Sequence, residues 1–159
     1  MKYPVFQRIL FSLLIIFSAS CCLNAQEDYQ WDTHGIGFKA KSDMKVVVNK
    51  SDEFEATNGQ ITLDIFPWQD AEVNHEDLAD GIVEIAKELK FDNIHGADAL
   101  EVDDFQGYYV EGTKDGVEAL IIILLDKESS TNLIATIIYQ NGNKEDAYKI
   151  ADSFYAYDK

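Results

Sequence analysis

Six consecutive aliphatic residues, Leu120 to Leu125, stand in a chain whose formal charge is −16. The run is far too short to cross a bilayer, which takes about 20 apolar residues as a helix. Just before it, Lys114-Asp115-Gly116 is tight-turn chemistry, because Asp and Gly tolerate the positive φ that short hairpin loops need. Residues 108–113 therefore pair with 117–125. Side chains alternate along a strand, so Ile121, Ile123 and Leu125 face one side of the sheet while Leu120, Ile122 and Leu124 face the other. Both faces must be dry. The segment "TNLIATIIY", 131–139, agrees: Leu133, Ala135 and Ile137 share one side and Ile134 and Ile138 the other, with Thr136 the polar interruption. These two segments are predicted as the central strands of the sheet.

A sheet dry on both faces needs two covers, and the chain offers two amphipathic helices. In "NHEDLADGIVEIAKEL", Leu78, Ile82, Ile85 and Leu89 recur at helical spacing, with Ala79 and Ala86 beside them and Asn74 as the cap. The stripe is expected to be buried. In "NKEDAYKIADSFYAY", Ala147, Ile150, Ala151 and Phe154 share a face behind Asn143. Further strands are expected at "GIGFKA", "KVVVN", "EFEAT", "QITLDIF" and "ALEV", the first three as an antiparallel meander. Asn58-Gly59 reads as a type I′ hairpin turn, and Pro67 as the end of its strand's ladder. The expected fold class is α+β: a mainly antiparallel sheet of six to seven strands with one helix on each face, an α/β/α sandwich. The competing arrangement puts both helices on one face and leaves the other for a dimer or partner.

The first residues read as an export signal, since Lys2 and Arg8 precede an apolar core from Ile9 to Ala19. Cleavage after Ala25 gives a signal peptide at 1–25, a polar leader at 26–34 with Trp31 as its docking side chain, and a single domain at 35–159. The alternative is a lipoprotein acylated at Cys21. Either way the protein is expected to be exported, periplasmic or secreted, or anchored through Cys21, with no transmembrane segment after signal removal. Both cysteines lie in this region, so cleavage at Ala25 removes disulfides and thiol chemistry from consideration. With Lys2 and Arg8 gone, 11 lysines face 29 carboxylates, a balance of −18. No arginine remains and the net field repels polyanions, which argues against nucleic acid as a partner. Lys39, Lys41, Lys45 and Lys50 read as guards of an exposed sheet edge.

Catalytic signatures are sparse. His34, His75 and His95 form no ligand pair, and no nucleophile elbow, phosphate-binding loop or dinucleotide fingerprint occurs. Asp70, Glu72, Asp103 and Asp104 are the candidates for a divalent cation such as calcium, without EF-hand spacing. Solvated surface is the plainer account of them. No cofactor is expected. Trp68, just after Pro67, and Tyr109 are candidate partner anchors, because exposed aromatic rings bring large contact area at small entropic cost, with sealing of the helix–sheet rims as the plainer account. Tyr108 and Tyr109, being adjacent, must put one ring on each sheet face.

The order of elements resembles the PsbP-like superfamily, which includes the extrinsic oxygen-evolving subunit of photosystem II and a Ran-binding nuclear import factor. The resemblance runs over residues 35–157 and rests on Gly37-Phe38, Lys41-Ser42-Asp43-Met44 and Ile150-Ala151-Asp152-Ser153-Phe154. Lys41 and Met44 depart from the Pro and Trp of similar members. The resemblance implies an α/β/α sandwich acting as an accessory or scaffold domain that binds other proteins, some members with bound metal, and brings no catalytic residues with it. The expected function is a non-catalytic, exported, acidic domain docking a protein or other envelope component. The alternative is a divalent-cation or small-ligand binder, and an enzyme with an unrecognised site comes third.

Overall fold

The computed structural model describes residues 25–68 and 77–157. Its ten strands are β1 (Gln26–Trp31), β2 (Ile36–Lys41), β3 (Lys45–Asn49), β4 (Phe54–Thr57), β5 (Ile61–Trp68), β6 (Asp98–Glu101), β7 (Phe105–Lys114), β8 (Val117–Asp126), β9 (Asn132–Tyr139) and β10 (Tyr155–Ala156). Among the described residues the helices are α1 (Leu78–Glu88) and α2 (Lys144–Ala151). Seven strands form an antiparallel sheet in the order β3-β4-β5-β9-β8-β7-β6. The aliphatic run lies in β8, inside the sheet beside β9, and Ile121 and Ile122 are both fully buried although they point to opposite faces. The hairpin joining β7 to β8 turns at Asp115 and Gly116, with φ of 52° and 79°, the paired positive values of a type I′ loop.

The two faces carry separate cores. One gathers Leu63, Leu120, Ile122, Leu133 and Ile137 under Ala147, Ile150, Ala151 and Phe154. The other gathers Ala119, Ile121, Ile123 and Leu125 under Leu78, Ile82 and Ala86. The helices therefore sit on opposite faces, and the arrangement with both on one face is excluded.

The first face also has a second cover, a three-stranded sheet in the order β1-β2-β10. Two expectations change here. Residues 26–34 are not a polar leader, because Gln26–Trp31 pairs with β2 along its whole length and Trp31 is fully buried. Its indole N–H donates to the Lys50 carbonyl at 2.6 Å. Nor does β2 join β3 in a meander; it leaves the large sheet to lay Ile36, Phe38 and Ala40 onto it. Phe38 meets Phe154 with ring centroids 5.9 Å apart. Beside them the Ser153 hydroxyl accepts the Lys39 amide and donates to the Ile150 carbonyl, each at 2.8 Å.

Smaller corrections have local causes. Asn58 does not take positive φ; Gly59 does, at 82°, and the Asn58 side chain accepts the amides of Gln60 and Ile61, so the turn is not type I′. Pro67 does not end β5, which pairs with β9 as far as Trp68. Its missing N–H is tolerated because β4 has already stopped opposite Ile65, leaving one neighbour to satisfy. Leu89 lies past the end of α1 and is 39% exposed. Asn74 falls outside the described residues. At Asn143 the cap position is occupied, but the side chain donates to the Gln140 carbonyl at 3.3 Å instead of accepting from the helix. The lysine-flanked strand β3 is an edge, with a bulge between Val46 and Val48 that interrupts its pairing and leaves Val47 59% exposed.

Replacing Ile122 by Asp puts an uncompensated charge between sheet and cover at a cost of several kcal/mol, against a net stability of about 5–15. Ile122→Asp is expected to abolish cooperative thermal melting followed by circular dichroism. Val117→Asp, at the exposed start of the same strand, is expected to keep it.

Candidate docking face

Along β5 the alternation that sends Ile61, Leu63 and Ile65 into the first core sends Thr62, Asp64, Phe66 and Trp68 to the other face. The register with β9 pairs Thr62 with Ile138, Asp64 with Thr136, Phe66 with Ile134 and Trp68 with Asn132. These residues continue the surface of Ile121 and Ile123, the part of the face that α1 covers. The buried stripe of α1 is one residue wide per turn, Leu78, Ile82 and Ala86, and its main contacts are with β7 and β8. Among the described residues the segment after α1, with Phe91, Ile94 and Ala97, adds to this cover, and on the β9–β5 side Phe66 stays exposed. Phe66 is 39% exposed, while Trp68, Ile134 and Ile138 are half-buried against the rim of the helix-covered core.

One carboxylate sits in the middle of this apolar strip. Asp64 is half-buried and takes a 3.4 Å hydrogen bond from the Thr136 hydroxyl. Burial pushes its pKa up, and Glu55, directly across on β4, pushes it further; the Thr136 hydrogen bond and, less, the field of Lys114 oppose them. Among the described residues no lysine forms an ion pair with it.

Tyr109, the second expected anchor, is on the opposite face. Tyr108 packs with the α1 core, whereas the Tyr109 ring meets Tyr148 edge-on at 5.6 Å. The Tyr148 hydroxyl donates to one oxygen of Glu111, and Lys144 approaches the other at 2.8 Å. These hydrogen bonds, Lys144 first and Tyr148 second, hold the Glu111 carboxyl below the ordinary glutamate range. Burial, then the bond to Glu111, pushes the Tyr148 hydroxyl well up. Trp68 and Tyr109 therefore cannot belong to one surface, and Tyr109 serves to seal α2 against the sheet.

Asp103 is exposed, and the Asp104 carboxylate accepts the Ala156 amide at 2.8 Å, which ties β10 to the turn before β7. Asp70, Glu72, His75 and Cys21 lie outside the described residues. Among the described residues no three His, Cys, Asp or Glu side chains are placed to hold a metal ion. His34 stacks obliquely on Trp31 and places Nε2 2.6 Å from the Ser51 carbonyl. His95 uses its backbone, donating to Glu111. No helix among the described residues is long and apolar enough to cross a membrane. Phe66, Asp64, Ile134 and Ile138 were not marked in the sequence as site residues, although alternation along β5 puts Phe66 and Asp64 on the side away from Leu63.

Asp64 and Glu111 should respond to pH with opposite signs. The folded pKa of Asp64 is raised, so its ionised form weakens the fold at neutral pH and the penalty fades as pH falls through the carboxylate range. Asp64→Asn is expected to raise the melting temperature near neutral pH, by no more than about 1 kcal/mol of stability at its partial exposure, and to lose that advantage in acid. The folded pKa of Glu111 is depressed, so its contribution is present above the ordinary glutamate pKa and is lost as pH falls through the lowered value. Glu111→Gln is expected to cost about 1 kcal/mol near neutral pH and little in acid, read from the same melts.

No family model and no curated protein matches the chain. Solved structures do. Cyanobacterial PsbP (CyanoP) from Synechocystis sp. PCC 6803 superposes with a TM-score of 0.57 at 14% identity, over 84% of this chain and 93% of that one. A protein from Bacteroides thetaiotaomicron VPI-5482 superposes with a TM-score of 0.52 at 8% identity, over 86% of this chain, which spans half of that protein's length. At these identities the likeness concerns the fold, and with two helices on opposite faces of an antiparallel sheet the chain has a PsbP-like fold.

Proposed function

We propose that this chain is an exported, non-catalytic domain that docks a protein partner on the open β5–β9 side of its large sheet. The observation that carries the reading is an apolar strip of Phe66, Trp68, Ile134 and Ile138 at the rim of the α1 core, with Phe66 39% exposed at its outer edge. Aromatic side chains at the edge of a dry region are the residues that contribute most when a partner excludes the remaining water. Export is supported by Lys2 and Arg8 ahead of the apolar Ile9–Ala19 core, with Cys21 as the lipidation position if the chain is anchored. A PsbP-like fold fits the reading, since similar domains are accessory subunits. Trp68 is the anchor on this surface, and Tyr109 is not part of it.

Immobilised protein should retain an envelope protein that the Phe66→Ser variant loses, while Glu128→Ser, remote in the β8–β9 loop, retains it. Truncating a central aromatic contact should weaken binding by about tenfold or more. Equal retention by Phe66→Ser and the unaltered protein, both shown to be folded, would remove this face from the proposal.

A further inference from the structure

The open face carries a charge that its neighbours do not neutralise. Asp64 stands between Thr62 and Phe66 along its own strand, with Thr136 beside it on β9 and Glu55 on β4. It has one long hydrogen bond, from Thr136, and a second carboxylate as its other cross-strand neighbour. A partner that covers Phe66 and Ile134 also strips water from Asp64. Burying an ionised carboxylate without a counter-charge costs more than burying a phenylalanine ring returns. An entirely apolar partner surface therefore gains little here, and an acidic one is repelled.

Resting on the docking reading above, we propose that the partner presents a lysine or arginine set among apolar side chains, its cation seated at Asp64 and Glu55 and its apolar flanks on Phe66, Trp68 and Ile134. The formal charge of −16 adds a long-range attraction toward basic surfaces. The same chemistry disfavours a second copy of this chain as the occupant. Two-fold pairing of the face with itself opposes Asp64 and Glu55 to their own copies.

Three synthetic peptides test this: one amphipathic sequence with leucine flanks and a single central position occupied by Lys, norleucine or Glu. Each is titrated into isotope-labelled protein, and amide shifts are followed by nuclear magnetic resonance. The Lys peptide should shift β5 and β9 amides and bind at least about tenfold more tightly than the Glu peptide, the norleucine peptide falling between them. Asp64→Asn, which keeps the shape and the Thr136 neighbour, should bring Lys and Glu peptides close to parity while melting cooperatively. If the peptides bind equally and Phe66→Ser weakens them all, the docking face stands and the cation requirement is wrong. If no peptide shifts β5 and β9, or Phe66→Ser changes nothing, both the requirement and the docking face are wrong.

Discussion

The burial of β8 on both faces governs this structure. Ile121 and Ile122 are equally dry, so two separate layers must lie against one sheet. Width then decides how those layers are built. Seven strands at a spacing of about 4.8 Å span roughly 30 Å, while one helix with its side chains is about 10–12 Å across. A single helix can therefore dry only two or three strands. On one face the shortfall is made up by β1, β2 and β10, which stand beside α2 and carry Trp31, Ile36 and Phe38 into the core. On the other face α1 is joined only by the segment carrying Phe91, Ile94 and Ala97 among the described residues, and Phe66 on β5 stays exposed.

That difference separates what could be read from sequence from what could not. Strand parity is a local property, so the two-faced character of β8 and β9, the sides taken by Tyr108 and Tyr109, and the Ala147-Ile150-Ala151-Phe154 stripe were all legible. The Asp115-Gly116 turn was legible for a similar reason, since both residues accept positive φ without help from elsewhere. β1 was not. "QEDYQW" has one face toward the core and one toward water and lies at a sheet edge, so its polar residues dominate its composition while only Tyr29 and Trp31 show what it does. The departure of β2 from the expected meander likewise depends on which partner strand wins, a tertiary contest between β1 and β3.

The candidate site shows the same limit more sharply. Alternation in β5 tells which side of the sheet Phe66 and Asp64 occupy, but not whether a helix lies above them. That depends on where α1 settles, and α1 makes its main contacts with β7 and β8. Trp68 could be picked out as a ring beside a proline. Tyr109 had an equal claim in sequence, and it lost that claim to Tyr148, which comes from a distant part of the chain and bonds to Glu111 on Tyr109's own strand.

Charge placement gives the open flank its character. Elsewhere carboxylates near the core are matched: Glu111 by Lys144 and Tyr148, Asp146 by Lys41 at 2.6 Å, Asp126 by the amides of Glu128 and Ser129. Asp64 has a hydroxyl and another acid. In the free chain the cost is small, because the carboxylate keeps contact with water and the sheet around it is held by backbone pairing on both sides. Once any surface closes over Phe66 the cost rises steeply, since the last water leaves and the field of Glu55 is no longer screened. An apolar strip with such a group at its centre resists indiscriminate contact while remaining open to one complementary charge, so selectivity arises from a penalty already built into the sheet, ahead of any added attraction.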